Sequence, residues 1–433
     1  MTYFTKKIFY LETYGCQMNF AESLSLSSRL TEAGWRESDS WEQADLVLLN
    51  TCAVRESAEK RIWGRLGFFG KQKKAYNFKI GFLGCMAERL QDEEMQKRAP
   101  FVDFFPGVAG RNAFIAFLTG TKEQDLEEFS FDPCYSQASD FRALIPIMHG
   151  CNNFCTYCIV PYVRGRELSR DPEAVFQECR DAVERGVKEI TLLGQNVNSY
   201  ASTFHNAPLT FPFLLEELLN RVAVPWLRFL SPHPRDFTPD LVRVYGQHKA
   251  ICRQIHLPVQ HGSDIILKRM NRQYTRSQYL ELIDMIRVTE PDTSFSTDIL
   301  IGFPGETEKD FQDTLDLMEK VAFDDAFTYF YNPREGTAAA SFDGQLSLEV
   351  KKERLSQIIS LQRQLTLRSR RSRIGREDDV LLEGVSKKRS DQLLGRTSRN
   401  EMVICPGGQH LVGTFRTVKF TGLSGITLKG EAV

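Results

Sequence analysis

Asp45-Leu46-Val47-Leu48-Leu49-Asn50-Thr51-Cys52 is a near-continuous apolar run that stops at a thiol. A short run of this kind, without polar alternation, fits a strand buried on both faces, as in a parallel sheet covered by helices. The same pattern recurs on either side. Lys7-Ile8-Phe9-Tyr10-Leu11 leads to Gly15-Cys16, and Lys79-Ile80-Gly81-Phe82-Leu83 leads to Gly84-Cys85. The spacing predicts helices over 22–33, closed by Gly34, over 54–66 and over 87–97. Strands alternating with helices make this an α/β segment built on a doubly wound parallel sheet. Ligands on such sheets bind beyond the carboxyl ends of the strands. Cys16, Cys52 and Cys85 each fall at such an end, so three thiols on one rim form a candidate site.

After a polar stretch, 121–140, the rhythm resumes. Strands are expected over 143–149, 189–194, 226–231, 254–259, 295–301 and 327–331. Helices are expected over 172–185, 212–221, 239–246, 277–289 and 307–320. Such βα units fit a partial (βα)6 barrel with active residues at the strand carboxyl ends. One long helix is expected over 349–374, with Leu355, Ile358, Ile359, Leu361 and Leu365 as its apolar stripe. From Asp379 onward, short β segments punctuated by Gly384, Gly395, Pro406-Gly407-Gly408, Gly413 and Gly422 predict a small β-barrel. The expected domains are 1–125, 141–370 and 371–433.

Of the 433 residues, 42% are hydrophobic and 26% charged, which argues against a disordered or fibrous chain. No apolar run reaches the roughly 18 residues of a membrane span. The segment after Met1–Lys7 carries Glu12 and is no signal-peptide core. A soluble, cytoplasmic protein without a membrane partner is therefore expected, and its ten cysteines read as ligands or nucleophiles, not disulfides. The net charge of −1 hides a gradient: 354–433 holds fifteen Lys and Arg against seven Asp and Glu, leaving −9 on the rest. A basic tail points to a polyanion. Seven arginines and no acid lie in 354–376, with Arg368, Arg370, Arg371 and Arg373 clustered. This stretch reads as a phosphate grip, the plain alternative being a solvated helix face.

Cys151-Asn152-Asn153-Phe154-Cys155-Thr156-Tyr157-Cys158 is the strongest local signal, a C-x3-C-x2-C loop behind an expected strand. Zinc takes four ligands and usually shows a second pair at finger spacing. Here His149 is the one nearby candidate for a fourth. Three thiolates on one loop fit a four-iron cluster whose last iron has no protein ligand and is open to a small molecule. Zinc binding or a purely structural role is the alternative. Cys134, Cys179, Cys252 and Cys405 lack ligand spacing and read as structural. His149, His256 and His261 near strand ends read as hydrogen-bonding groups, and Gly302-Phe303-Pro304-Gly305-Glu306 as a turn.

On these residues the chain resembles the radical S-adenosylmethionine (SAM) enzymes, whose signature is this three-cysteine loop on the first strand of a (βα)6 barrel. It resembles the methylthiotransferases in particular, over essentially its whole length. Gly15-Cys16-Gln17-Met18-Asn19, Asn50-Thr51-Cys52-Ala53-Val54-Arg55 and Gly84-Cys85-Met86-Ala87 are similar to that family's N-terminal three-cysteine domain. Gly150 to Glu167, Leu192 to Tyr200, Leu257-Pro258-Val259-Gln260 and Ser296-Thr297-Asp298 continue the likeness in order. Gly395-Arg396-Thr397 and Leu428-Lys429-Gly430-Glu431 resemble its RNA-binding TRAM domain. Gly15-Cys16-Gln17-Met18-Asn19, together with Asn50 to Ala58 and Glu59, is most similar to the bacterial tRNA-modifying (MiaB) branch; other branches act on threonylcarbamoyl-adenosine in tRNA or on a ribosomal protein.

The resemblance implies an enzyme that replaces C2–H of N6-isopentenyladenosine at tRNA position 37 with C–S–CH3. That bond is not acidic enough for a side-chain base, so cofactors must carry the chemistry. Two [4Fe-4S] clusters and S-adenosyl-L-methionine are implied, one cluster on Cys151, Cys155 and Cys158 to bind SAM. The other, on Cys16, Cys52 and Cys85, would hold the sulfur to be methylated. The implied partners are the tRNA anticodon stem-loop, a low-potential electron donor such as flavodoxin or ferredoxin, and a sulfur source. Tyr157 matches a position whose backbone meets the SAM adenine. Gln195 and Asn196 match the strand end near the SAM amino group, and Ser231, Gln260 and Asp298 would line the same cavity. Each has the plain alternative of a polar residue capping a strand. The chain departs from the family pattern at His149, where Glu is expected, at His261, where a small residue is expected, and at Glu335, where Pro is expected. A zinc-holding, non-catalytic RNA-binding protein is the alternative from another class.

Overall fold

The computed structural model describes residues 4–53, 56–90, 92–122, 141–387 and 389–433, so Cys134 and most of the polar stretch 121–140 lie outside the described residues. By internal contacts the chain divides into two compact units. The first is Met1–Ser136, Leu144–Asn152 and Ile159–Arg170; the second is Gln137–Ala143, Asn153–Cys158 and Asp171–Val433.

The first unit runs β1 (Ile8–Tyr14), α1 (Gln17–Glu32), β2 (Arg36–Glu37), β3 (Leu46–Thr51), α2 (Glu56–Gln72), β4 (Lys79–Gly84), α3 (Cys85–Arg89), α4 (Asp92–Arg98) and α5 (Arg111–Thr119). Its strands form one parallel sheet in the order β2-β1-β3-β4. Successive side chains of a strand point to opposite faces, and β3 uses both. Leu46 and Leu48 pack with Leu26 and Leu30 of α1 and with Phe114, Ile115 and Leu118 of α5. Val47 and Leu49 pack with Ile62, Leu66 and Phe69 of α2 and with Met86 and Met95. Helices cover both faces, which is why the run from Leu46 to Leu49 shows no alternation. Each such fully buried side chain contributes about 1.5–3 kcal/mol. The single helix expected over 87–97 is two, because Leu90 takes an extended conformation (φ −79°, ψ 141°) and ends α3.

β5 (Arg142–Pro146) is shared between the units. The first unit continues with β6 (Met148–His149), α6 (Val160–Arg164) and β7 (Leu168–Ser169), where β6 and β7 pair antiparallel. The strand expected over 143–149 is thus two pieces, β5 ending on Pro146.

The second unit follows the expected rhythm. It runs α7 (Pro172–Glu184), β8 (Glu189–Leu193), β9 (Ala201–Phe204), β10 (Ala207–Thr210), α8 (Phe211–Arg221), β11 (Trp226–Phe229), α9 (Pro239–Gln247), β12 (Gln254–His256), α10 (Asp264–Arg269), α11 (Arg276–Thr289), β13 (Ser294–Ile301), α12 (Glu308–Val321) and β14 (Asp325–Phe330). β8 pairs in parallel with β11, and β12, β13 and β14 form a parallel sheet in that order. Leu227 of β11 bridges Ile251, just ahead of β12, also in parallel. The strand carboxyl ends therefore share one side, as the partial barrel requires. The hairpin β9-β10 is an addition that the sequence reading did not include.

α13 (Leu348–Ser372) then leads to β15 (Glu377–Val385), β16 (Gln392–Thr397), β17 (Met402–Pro406), β18 (Phe415–Ser424) and β19 (Thr427–Ala432). These five close into a barrel in the order β15-β16-β17-β19-β18, around Val380, Leu393, Val403, Val418 and Phe420.

The long helix corrects the expectation. Its buried face is Lys351, Arg354, Ile358, Gln362, Leu365, Thr366 and Arg370, while Ile359 of the expected stripe is 45% exposed. Arg354 donates to Glu306 Oε1 at 2.6 Å. Arg370 and Arg373 reach the fully buried Glu401 of the small barrel at 3.4 and 3.2 Å, and Arg373 also pairs with Asp378 at 2.5 Å. Buried charges persist where they are paired, so these arginines seat the helix and are not a phosphate grip. Arg363, Arg368, Arg371 and Arg376 remain exposed.

Candidate active site

Register sets the first cysteine trio. Tyr14 of β1 lies opposite Thr51 of β3, and Thr51 lies opposite Gly84 of β4. Cys52 and Cys85 follow at once and Cys16 two residues on, so all three leave the same rim. The Cys52 thiol donates to Cys16 Sγ, the largest of several influences that bring the Cys16 pKa down to about 6; loss of hydration around the sulfur opposes it and the Arg164 charge assists. Burial is also the first influence on Cys85 and raises its pKa, with the nearby Cys16 adding to it. Cys16 is exposed and the other two are buried.

Two asparagines fix this rim. Asn19 Oδ1 accepts from Cys16 N and Sγ, each at 3.3 Å. Asn50 Nδ2 donates to Asn19 O at 2.9 Å and to Ser23 Oγ at 3.0 Å. Gly84 has φ +89°, and a Cβ there would stand 2.4 Å from Thr51 O and 2.5 Å from Asn50 Oδ1. Only glycine lets β4 turn so tightly into Cys85. Both asparagines lie in the cysteine motifs but were not among the expected site residues.

A buried ion pair backs the trio. Arg164 at the end of α6 donates through Nε to Cys85 Sγ at 3.1 Å and through Nη1 to Glu22 Oε1 at 2.6 Å. His149 feels both charges, but burial dominates and lowers its pKa to about 4, so it is neutral near pH 7. Ile159 and Val163 pack with Ala53 and Cys85. Cys151 stands in the same unit, its N–H donating to Gly165 O at 3.2 Å.

Cys155, Tyr157 and Cys158 belong to the second unit. Cys158 N donates to Cys155 O at 2.9 Å, closing a turn. Arg272 Nη1 lies 3.4 Å from Cys155 Sγ and 3.5 Å from the Tyr157 hydroxyl, and Nη2 donates to Pro258 O at 2.8 Å. The other sequence-chosen residues gather in two groups at strand ends. Gln260 N donates to Asp298 O at 2.9 Å, and Asp298 Oδ2 is 3.5 Å from His256 Nε2. Ser231 O accepts from Val197 N at 3.3 Å, and Asn196 Nδ2 donates to Asp236 at 2.8 Å. Ser231 (φ 61°) and Gln260 (φ 70°) are both left-handed, a strained state that surrounding structure must hold and that clusters at ligand sites. Gln195 Oε1 is buried with no hydrogen-bond partner among the described residues, an orphan acceptor that suits a ligand's donor. His261 is fully buried, held by Glu306 at 3.2 Å and by Ser263 N at 3.1 Å, a structural hydrogen-bonding residue.

Among the described residues no three His, Cys, Asp or Glu side chains converge as they would around one bound ion. The donors at both places are sulfurs attended by guanidinium groups, a chemistry suited to iron–sulfur clusters. Residues 8–107 match "Uncharacterized protein family UPF0004", 145–318 match the Radical SAM superfamily and 371–433 match the TRAM domain. A tRNA-2-methylthio-N(6)-dimethylallyladenosine synthase of Treponema denticola is 44% identical, with 100% of each chain covered. The protein of that name from Moorella thermoacetica is 42% identical, with 99% of each chain covered. The chain belongs to this synthase family.

Membership in the synthase family makes this a radical SAM enzyme, one that works with SAM and a [4Fe-4S] cluster. The fold is also similar to that of a solved structure. A radical SAM methyltransferase, TsrM from Kitasatospora setae, superposes with TM-score 0.54 at 11% identity over 78% of this chain and 77% of its own. No helix among the described residues is long and apolar enough to cross a membrane. Arg164, Glu22 and Arg272 are functional candidates that the sequence reading missed. Nothing local marks an arginine as the partner of a cysteine about 80 or 117 residues away.

Proposed function

We propose that this chain is a cytoplasmic enzyme that methylthiolates N6-isopentenyladenosine at position 37 of tRNA, drawing electrons from a flavodoxin or ferredoxin and using a separate sulfur source. Segment 1–125 carries an auxiliary [4Fe-4S] cluster on Cys16, Cys52 and Cys85. Segment 141–370 carries the SAM-binding cluster on Cys151, Cys155 and Cys158, and segment 371–433 holds tRNA. The observation that carries the two-cluster reading is the β1-β3-β4 register, which brings three thiols from distant sequence to one rim.

Cluster-bound SAM, once reduced, supplies radical chemistry strong enough to reach an aromatic C–H bond. The protein's part is to hold and orient. Asn19 and Asn50 fix the Cys16 loop, and the Arg164–Glu22 pair offers Cys85 a fixed donor without adding net charge. Gln195 Oε1 and the backbone beside Tyr157, Ser231 and Gln260 provide polar contacts for SAM. Preorganised groups of this kind need no rearrangement when charge moves.

The test is an anaerobic assay with a flavodoxin reducing system, SAM and three tRNAs: isopentenylated, threonylcarbamoylated and unmodified. Mass spectrometry of digested nucleosides should find the methylthio product from the isopentenylated tRNA alone. A product from the threonylcarbamoylated tRNA instead would overturn the substrate assignment.

A further inference from the structure

Arg272 is a buried cation whose neighbours are unusual. Its Nε donates to the Tyr274 hydroxyl at 3.0 Å and its Nη2 to Pro258 O at 2.8 Å; Nη1 faces Cys155 Sγ and the Tyr157 hydroxyl. Its side-chain partners among the described residues are two hydroxyls, a carbonyl and a sulfur, with no carboxylate, although it is only 5% exposed. A buried charge without a counter-charge is strongly destabilising. A tyrosine hydroxyl is neutral near pH 7, so the two hydroxyls within reach of the guanidinium do not balance its charge. The remaining neighbour able to carry negative charge is the sulfur of Cys155. Arg164 stands in contrast, since Glu22 already neutralises it.

The backbone holds Arg272 in place. Its neighbours Asn271 and Gln273 are both left-handed, each at φ 59°. Asn271 Nδ2 donates to Asn153 O at 3.2 Å and Phe154 O at 3.0 Å, and Thr156 N donates to Met270 O at 3.0 Å. The segment carrying the arginine is thus stitched to the loop carrying Cys155. The two left-handed residues and these hydrogen bonds fix where the charge sits relative to the loop.

We infer that Arg272 is a positioning residue that acts through Cys155, serving as the internal counter-charge of the SAM-binding cluster and setting its reduction potential. This rests on the reading that Cys155 is a ligand of that cluster. The potential of an iron–sulfur centre depends on net charge and on hydrogen bonds to its sulfurs, and Arg272 supplies both. A positive charge and a donor at a ligand sulfur favour the reduced, more negative cluster. Removing them makes reduction harder.

The experiment uses the full chain with Cys16, Cys52 and Cys85 changed to Ala, so that a single cluster remains, in three forms: Arg272, Arg272→Lys and Arg272→Gln. Iron content and redox titration followed by electron paramagnetic resonance are read on each. The expected result is full iron in all three, with a potential that falls clearly in Arg272→Gln and less in Arg272→Lys. Loss of iron in Arg272→Gln with retention in Arg272→Lys supports the same role. An unchanged potential in a fully loaded Arg272→Gln protein overturns the inference, as does loss of iron in both variants, because restoring charge then restores nothing. If the parent with Arg272 held no iron, the ligand reading itself would fail, a separate outcome.

Discussion

At the scale of single residues, the Cys16 rim makes a prediction about reactivity. A thiolate is the reactive form, and with a pKa of about 6 Cys16 is mostly thiolate above neutral pH. In metal-free protein its alkylation by iodoacetamide should be half-maximal near pH 6 and flat from pH 7.5 to 9, where an ordinary thiol is still gaining. Cys85, raised by burial, should lag throughout. Cys52→Ala removes the donor and Arg164→Gln removes the charge, so each should move the Cys16 midpoint upward; peptide mass spectrometry across pH reads both. A midpoint near pH 9 in the unaltered chain would contradict the arrangement. The cysteines themselves were legible because each ends an apolar run. Their support was not: Asn50 binds Asn19 across 31 residues, and a pairing of that kind has no sequence period. Likewise, the strain at Ser231 and Gln260 appears only once backbone angles are known.

At the scale of elements, the long helix shows where pattern reading fails and why. An apolar stripe predicts the buried face only when burial is apolar. Here Arg354, Arg370 and Arg373 occupy the inward positions, and their acidic partners Glu306, Asp378 and Glu401 lie elsewhere in the chain. Read along the helix alone, seven arginines look like a surface for phosphate. The β1-β3-β4 sheet was legible because its strands are buried on both sides and announce it in composition. Glu401 centres the arginine network, also receiving Arg399 at 3.3 Å. Glu401→Ala leaves three buried guanidinium groups short of a partner and should cost about 3–5 kcal/mol. Thermal unfolding followed by circular dichroism should show a clear fall in Tm, with Glu401→Gln between variant and parent. An unchanged Tm would mean the network holds nothing.

At the scale of the whole molecule, α13 and the small barrel are bound by charges that neither can keep alone. Cutting the chain at 371 to test RNA binding would strip Arg370 of Glu401, so weak binding by such a truncation could reflect damage to the body. Charge reversal on the barrel surface is the cleaner test. Arg416 and Lys419 are exposed on β18. Arg416→Glu with Lys419→Glu should weaken tRNA binding, flatten its salt dependence and leave SAM cleavage without tRNA unchanged. Phosphate contacts carry such affinity, and each one lost lowers the log–log salt slope by roughly 0.7–0.9. Filter binding across a salt series reads this, and an unchanged slope would remove β18 from the interface.

The central claim is that two sulfur trios on one chain each hold a cubane. Iron and acid-labile sulfide should be counted on anaerobically reconstituted protein and on the two triple cysteine-to-alanine variants. The account predicts about eight irons in the parent and about four in each variant. Four in the parent, unchanged when Cys16, Cys52 and Cys85 are removed, would contradict it.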